Sequence, residues 1–379
     1  MSKILVLCAA NPATNPRPQR MITLLKKYHK VYAMGINASE IENVEVFSYP
    51  TYKKRNFFEE ICLYKNVIFK NWQKLIDTKN RLEIPKILNR YAFDLIICHD
   101  LVLLPIVLRC KKNAKILFDA REFYPAQNKT NLRWRFLFSK FNDYLCKTYL
   151  PQIDCTITVS KGLQEAYKKN YGIECRLFYS LPQYHDLIPS QINPNKIKII
   201  YHGAANPNRK IEKMIEVSKY LQERFELDFM LINTDENYMK FLKKKVDKIR
   251  LKGKKVAIIP PVTYDKIIPF TSDYDLGLYA IPPSTLNLKH ALPNKFFEYI
   301  QARLGLIITP NPEMIPFIHT YKNGLIIKNF RPKTIANAIN ALDEKQIKKL
   351  KECSNKAAKT LNIKMNQKNI DNIIKFLCP

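Results

Sequence analysis

Apolar residues fall in short, near-continuous runs separated by stretches with a helical period. In the first half the runs are ILVLCAA (4–10), KVYAMG (30–35), VEVFSY (44–49), LIICHD (95–100), KILFDA (115–120) and CTITVS (155–160). Short apolar runs between amphipathic stretches read as buried strands alternating with helices, which predicts a parallel, doubly wound sheet. The segment SLPQYHDLIPSQINPNK (180–196) has three prolines and no periodicity, so it reads as a linker. The pattern then restarts with IKIIYHG (197–203), LDFMLINT (227–234), KVAIIPP (255–261), YDLGLYA (274–280), LGLIITP (304–310) and GLIIKN (324–329). The division expected is a first domain over 1–182, a linker over 183–195, a second domain over 196–360 and a terminal helix over 361–379. That helix has Ile370, Ile373, Ile374 and Leu377 on one side, available to pack back on the first domain. Two α/β halves facing each other would surround a central cleft with their carboxyl-end loops, the default binding site.

The stretch NLKHALPNKFFEYIQARLGLIITP (287–310) is informative about that site. Pro293 suits a first helical position and Gly305 the residue past a helix end, which predicts about three turns between them. Phe297, Ile300 and Leu304 share one stripe, and Lys295, Glu298 and Ala302 another. Glu298 and Lys295 then read either as a solvated pair or as groups placed at the rim of a strand.

Composition narrows the classes. The nine cysteines are scattered, without a Cys-x-x-Cys, which favours reduced thiols in a cytoplasmic setting over a zinc site. Met1 leads into KILVLCAA, too short for a signal peptide, and no apolar run reaches membrane-spanning length. Only eight glycines are present, with neither Gly-x-Gly-x-x-Gly nor a phosphate-loop motif, which argues against an ordinary NAD enzyme or P-loop nucleotidase. One Asp-x-Asp spacing occurs, Asp273–Asp275 at the start of the YDLGLYA run, and metal-independent chemistry is expected. Sixty-three Lys+Arg against 33 Asp+Glu leave a net charge of +30, which suits an anionic membrane surface better than nucleic acid. That excess is spread evenly, about +14 over residues 1–190 and about +16 over the rest, which argues against one dedicated basic patch. YKKRNFFEEICLYKNVIFKNWQKL (52–75) and KTNLRWRFLFSKFNDYLCKTYL (129–150) combine cations with bulky apolar groups. In the first, Phe57, Ile61, Ile68, Trp72 and Leu75 fit one stripe behind Lys53, Lys54 and Arg55. Such helices either lie in a bilayer interface or pack on the sheet.

The segment LPNKFFEYIQARLGLIITP resembles the donor-binding helix of family 4 (group 1) glycosyltransferases of the GT-B fold, which often carries Pro-Asn-Lys-x-x-Glu-Tyr. Further similar segments follow in family order: NPRPQRMITLL, ICHDLVLLP, FDAREFYP, DCTITVSKGL with YGI, IIYHGAANPNRKIEKMIE and YDLGLYA. The resemblance implies two Rossmann-like domains and a nucleotide-sugar donor, with UDP- and GDP-sugars leading the candidates and no tightly bound cofactor. It places Glu298 on the donor ribose hydroxyls and Arg209 on the diphosphate. Lys210, Lys295, Gly203, Pro293, Asn294 and Arg17 are expected around the phosphates, with Thr263 at the nucleobase. Arg20 joins Arg17 as a cleft-lining cation. His290 stands where the family usually has a glutamate, leaving sugar and stereochemistry open. His99 and Asp100 would face acceptor or sugar, and Asp100 or Glu122 would be the general base of an inverting course. The retaining course, more typical of the family, needs none. Arg121 stands where relatives often have histidine. The expected acceptor is a glycan, carried on a lipid in cell-surface polysaccharide synthesis if the basic helices bind membrane. A nucleotide-sugar epimerase of the same fold and an inactive transferase-like partner subunit are the alternatives.

Overall fold

The computed structural model describes residues 1–128 and 130–378. Lys129, the first residue of the second basic segment, and Pro379 lie outside the described residues. The chain forms two compact units, one from Met1–Tyr179 with the segment from Asn366 onward, the other from Ser180–Met365.

The first unit holds seven strands: β1 (Lys3–Leu7), β2 (Lys30–Ile36), β3 (Glu45–Tyr49), β4 (Leu95–Cys98), β5 (Lys115–Ala120), β6 (Cys155–Thr158) and β7 (Cys175–Leu177). Their order is β3-β2-β1-β4-β5-β6-β7, every pair parallel. The central strands are buried throughout because helices cover both faces, so they carry apolar runs rather than alternation. The second unit repeats the plan with β8 (Ile197–Ala204), β9 (Phe225–Ile232), β10 (Val256–Ile259), β11 (Leu276–Tyr279), β12 (Gly305–Ile308) and β13 (Gly324–Ile326) in the parallel order β10-β9-β8-β11-β12-β13. In each sheet the strand order reverses beside the first strand, at β1/β4 and at β8/β11. The loops past those carboxyl ends are where such sheets bind ligands.

Several sequence expectations shift. Strands end earlier than the apolar runs do, since Ala9, Ala10, Pro260 and Pro310 already belong to loops. β7 was not expected; three residues with one buried side chain give no periodic signal. The helix after Pro293 is eight residues, Asn294–Gln301, rather than about three turns. Pro293 is its extended cap, Arg303 takes the left-handed position past its end at φ 65°, and Gly305 opens β12. The stripe over 52–75 is broken as well. Lys70, at φ 54°, ends one helix (Phe57–Ile68) before a second (Trp72–Ile76) begins. Leu63, Val67 and Leu75 face inward, while Phe57 and Ile61 are 75% and 51% exposed.

Candidate active site

In the second unit β8 runs Tyr201-His202-Gly203-Ala204 out to the rim, where Asn206 accepts a bond from the Asn208 amide and holds the Pro207–Arg209 turn. Arg209 Nη1 reaches back to the Ala204 carbonyl at 3.4 Å. Across from this turn the Asn294–Gln301 helix begins, and Lys295 Nζ lies 3.2 Å from the Tyr201 hydroxyl and 4.3 Å from its ring centroid. The two cations converge on Gly203. A Cβ there would stand 2.7 Å from Lys295 Nζ and 2.9 Å from Arg209 Nη1, and Gly203 has φ 141°. Only glycine combines that backbone with so close an approach.

Glu298 sits one turn further along the helix, with Oε2 3.6 Å from His202 Nε2. At 3% and 7% exposure Glu298 and Lys295 are buried, which removes the solvated-pair reading. The helix is held in register by Tyr299. Its ring lies on Gly277 of β11, where an added Cβ would meet it at 2.5 Å, and its hydroxyl accepts from the His202 amide at 3.2 Å.

The electrostatics are lopsided. Burial lowers the Lys295 pKa well below its ordinary value and Arg209 adds to this, while Glu298 opposes it. Burial, then Lys295 and Arg209, lower His202 likewise, so its imidazole is neutral. Among the described residues neither Lys295 nor Arg209 has a carboxylate within ion-pair distance; their partners are tyrosine hydroxyl and rings, and a carbonyl. The cap residue, Pro293, makes no side-chain hydrogen bond to the first helical turn. Two close cations beside the start of a helix suit a polyanion. Gly203→Ala should therefore cost about 1–3 kcal/mol in strain and weaken nucleotide diphosphate binding, read by thermal melting and a UDP titration.

Other expected donor residues sit elsewhere. Lys210 is exposed at φ 51°, and Thr263 is exposed in the turn after edge strand β10. Neither joins the Lys295 cluster. His290 caps the short Leu286–Lys289 helix, and its Nδ1 is 2.9 Å from Oε1 of Glu313. Glu313 follows β12 in a turn where the Asn311 side chain accepts from the Glu313 and Met314 amides. Sequence reasoning missed Glu313; the Asn311-x-Glu313 spacing after a strand was the available signal.

In the first unit Asp100 follows β4 and accepts from the Ala9 amide at 2.6 Å and from Arg121 at 3.1 Å. Glu122 follows β5 and accepts from Gln127 at 2.8 Å. Burial raises the Glu122 pKa, Arg121 counteracts this, and Asp100 adds to the rise. Asp100, Arg121 and Glu122 thus gather at one rim. His99 differs from expectation, being buried with Nδ1 2.9 Å from Asp119 Oδ2. Arg17 grips Asp119 with Nε and Nη2, both at 2.6 Å, and donates to the Phe178 carbonyl at 3.1 Å. The Arg17 guanidinium, expected near donor phosphate or acceptor, is thus engaged by a carboxylate of its own unit. Arg20 is buried on the same helix.

Two parallel-sheet units of this kind recur in solved structures over the whole chain. Sucrose-phosphate synthase from Thermosynechococcus elongatus matches with TM-score 0.73 at 13% identity, covering 99% of each chain. Anabaena Alr3699/HepE in complex with UDP and glucose matches with TM-score 0.70 at 12% identity, covering 99% of this chain and 100% of that one. An alpha,alpha-trehalose-phosphate synthase (UDP-forming) from Burkholderia vietnamiensis matches with TM-score 0.70 at 12% identity, covering 100% and 97%. At such identities these likenesses establish the fold, which is GT-B. No curated protein matches the chain by sequence. Residues 42–179 match the family described as Glycosyltransferase Family 4 and residues 186–360 match Glycosyl transferases group 1. The chain belongs to this glycosyltransferase family.

Proposed function

We propose that the protein transfers a sugar from a nucleoside diphosphate sugar to a glycan carried on a lipid, in the assembly of a cell-surface polysaccharide. The observation that carries the donor half is the convergence of Lys295 and Arg209 on Gly203 at the start of the helix that bears Glu298. The cations and helix amides compensate charge on the leaving diphosphate, so transfer proceeds without a metal. Glu298 accepts from the ribose hydroxyls, each such bond contributing roughly 1.5–3 kcal/mol. HepE, a fold neighbour, is found with UDP and glucose, which supports a UDP-sugar. Asp100 and Glu122 face the acceptor, and a retaining course follows from the family resemblance. The exposed Phe57, Phe58 and Ile61 behind Lys53, Lys54 and Arg55 support attachment to the cytoplasmic face of an anionic membrane. No helix among the described residues is long and apolar enough to cross a membrane.

The test is thermal stabilisation by UDP, GDP, ADP and CMP, each with and without a sugar. One nucleotide class should stabilise the wild type and lose at least about tenfold in affinity, roughly 1.4 kcal/mol, in Glu298→Ala. Equal stabilisation of the variant would sink the ribose role.

A further inference from the structure

The first unit contains a cavity of about 620 Å³ that none of the donor chemistry uses. Its size is that of a small-molecule site. It lies under the Phe57–Ile68 helix, beside the Trp72–Ile76 helix and against a helical run that begins at Leu132–Trp134, loosens into a π-turn over Arg135–Ser139 and continues as Lys140–Tyr149. The π-turn widens the helix where Trp134 and Phe138 reach the cavity. Two contacts hold the walls together: Tyr64 stacks on Phe136 with centroids 5.9 Å apart, and Arg133 pairs with Glu60 at 2.6 Å.

The lining is amphiphilic. Phe58, Trp134, Phe138 and Phe141 contribute aromatic surface to it, and Arg55, Lys74 and Arg81 contribute cations. Arg81 Nη1 holds only carbonyl oxygens, Leu75 at 3.1 Å and Ile76 at 2.9 Å. The one lining carboxylate, Glu59, is already used, exchanging bonds with Asn56 in a capping box. The lining includes Val102, two residues past Asp100, and Gln127, which donates to Glu122. Phe58, also in the lining, is 76% exposed and stands beside Phe57. Arg55 is paired with Glu60 at 3.8 Å, which leaves Lys74 and Arg81 as the lining cations with no carboxylate within ion-pair distance among the described residues. A cavity that combines these two cations with aromatics and borders the Asp100 and Glu122 segment fits a ligand with three parts.

We infer that this cavity seats the acceptor, and that the acceptor is an amphiphile in which a phosphate joins the sugar to a long apolar chain. The phosphate lies on Arg81 and Lys74, the chain runs along Phe58, Trp134, Phe138 and Phe141, and the sugar points to the Asp100 and Glu122 rim. This assignment rests on the transferase reading for its purpose, but binding can be measured without any donor.

The chain has two tryptophans, one of them in the cavity wall, so intrinsic fluorescence follows occupancy directly. The probe is farnesyl phosphate below its micelle-forming concentration, compared with farnesol and with inorganic phosphate. Farnesyl phosphate should give a saturable change that Trp134→Phe removes, with each half-ligand binding at least about tenfold more weakly, the equivalent of 1.4 kcal/mol. Lys74→Glu, an exposed change, and Phe138→Asp should each weaken it by a similar factor. Equal affinity for farnesol and farnesyl phosphate, or no effect of Lys74→Glu, would overturn the assignment. So would a signal seen only with phosphatidylglycerol vesicles and abolished by Phe57→Ser with Ile61→Ser, which would make the region a membrane face alone. UDP stabilisation run in parallel separates the readings. Its persistence alongside a negative result leaves the donor site standing, and its absence alongside farnesyl phosphate binding removes the donor reading only.

Discussion

Lys295→Met should leave the fold intact, or slightly more stable, while lowering sugar transfer by about 10²–10³-fold. The activity figure is the order of magnitude for losing one pre-placed charge opposite a developing negative one. The stability expectation follows from burial. An ammonium surrounded by Tyr201, Tyr279 and Arg209 is paid little by its surroundings in the absence of an anion, and exchanging a poorly compensated buried charge for an apolar side chain of similar length is neutral or favourable. The pH signature is specific. Because the folded-state pKa of Lys295 is depressed below its ordinary value of 10.5, the folded chain without ligand is penalised most where the ammonium is charged. That penalty is relieved as pH rises from the folded pKa toward the unfolded one. A bound diphosphate raises the Lys295 pKa again, so binding takes up a proton between the two values and affinity falls as pH rises through that window. Calorimetry of UDP binding in buffers of different ionisation enthalpy measures the uptake. A wild type that takes up no proton, or a Lys295→Met variant that keeps both activity and uptake, would refute the role.

How much of this was legible beforehand differs between sheet and site. Runs such as LIIC and KILFDA are strands because both faces are covered, and burial on both sides leaves a mark that survives without context. Cys175–Leu177 leaves none, being short and at an edge. Glu298 was visible through its motif, but the burial of Lys295 was not. Its depth depends on Gly203 and on two tyrosines from β8 and β11, which meet it only once the strands are side by side. Asp119 read simply as part of a strand, although its carboxylate organises His99 and Arg17, residues about 20 and 100 positions away. Local pattern reports a residue's own burial, whereas partnership between distant strands follows from topology.

That hidden carboxylate carries the second large effect. Arg17→Met should destabilise the first unit by about 3–5 kcal/mol, because it leaves Asp119 buried without its bidentate partner. Against a total stability of about 5–15 kcal/mol for an ordinary domain, such a loss is severe. A double replacement, Arg17→Met with Asp119→Leu, should recover most of it, since the cost lies in the orphaned charge rather than in the missing contacts. The pH dependence distinguishes this from a packing defect. In the wild type burial pushes the Asp119 pKa up, but Arg17 and His99 outweigh burial and hold it well below the usual carboxylate range. Its contribution is therefore present above the unfolded pKa and is lost as pH falls through the folded one. Without Arg17 only His99 opposes burial, the folded pKa rises, and the stability lost on acidification shrinks. Denaturant unfolding from neutral pH down to pH 4 would show the two slopes. Parallel slopes in wild type and variant would mean that Arg17 contributes only its packing. A shallower slope in the variant would identify the Arg17, Asp119 and His99 cluster as the element that holds the β4 and β5 ends, and with them Asp100 and Arg121, in place.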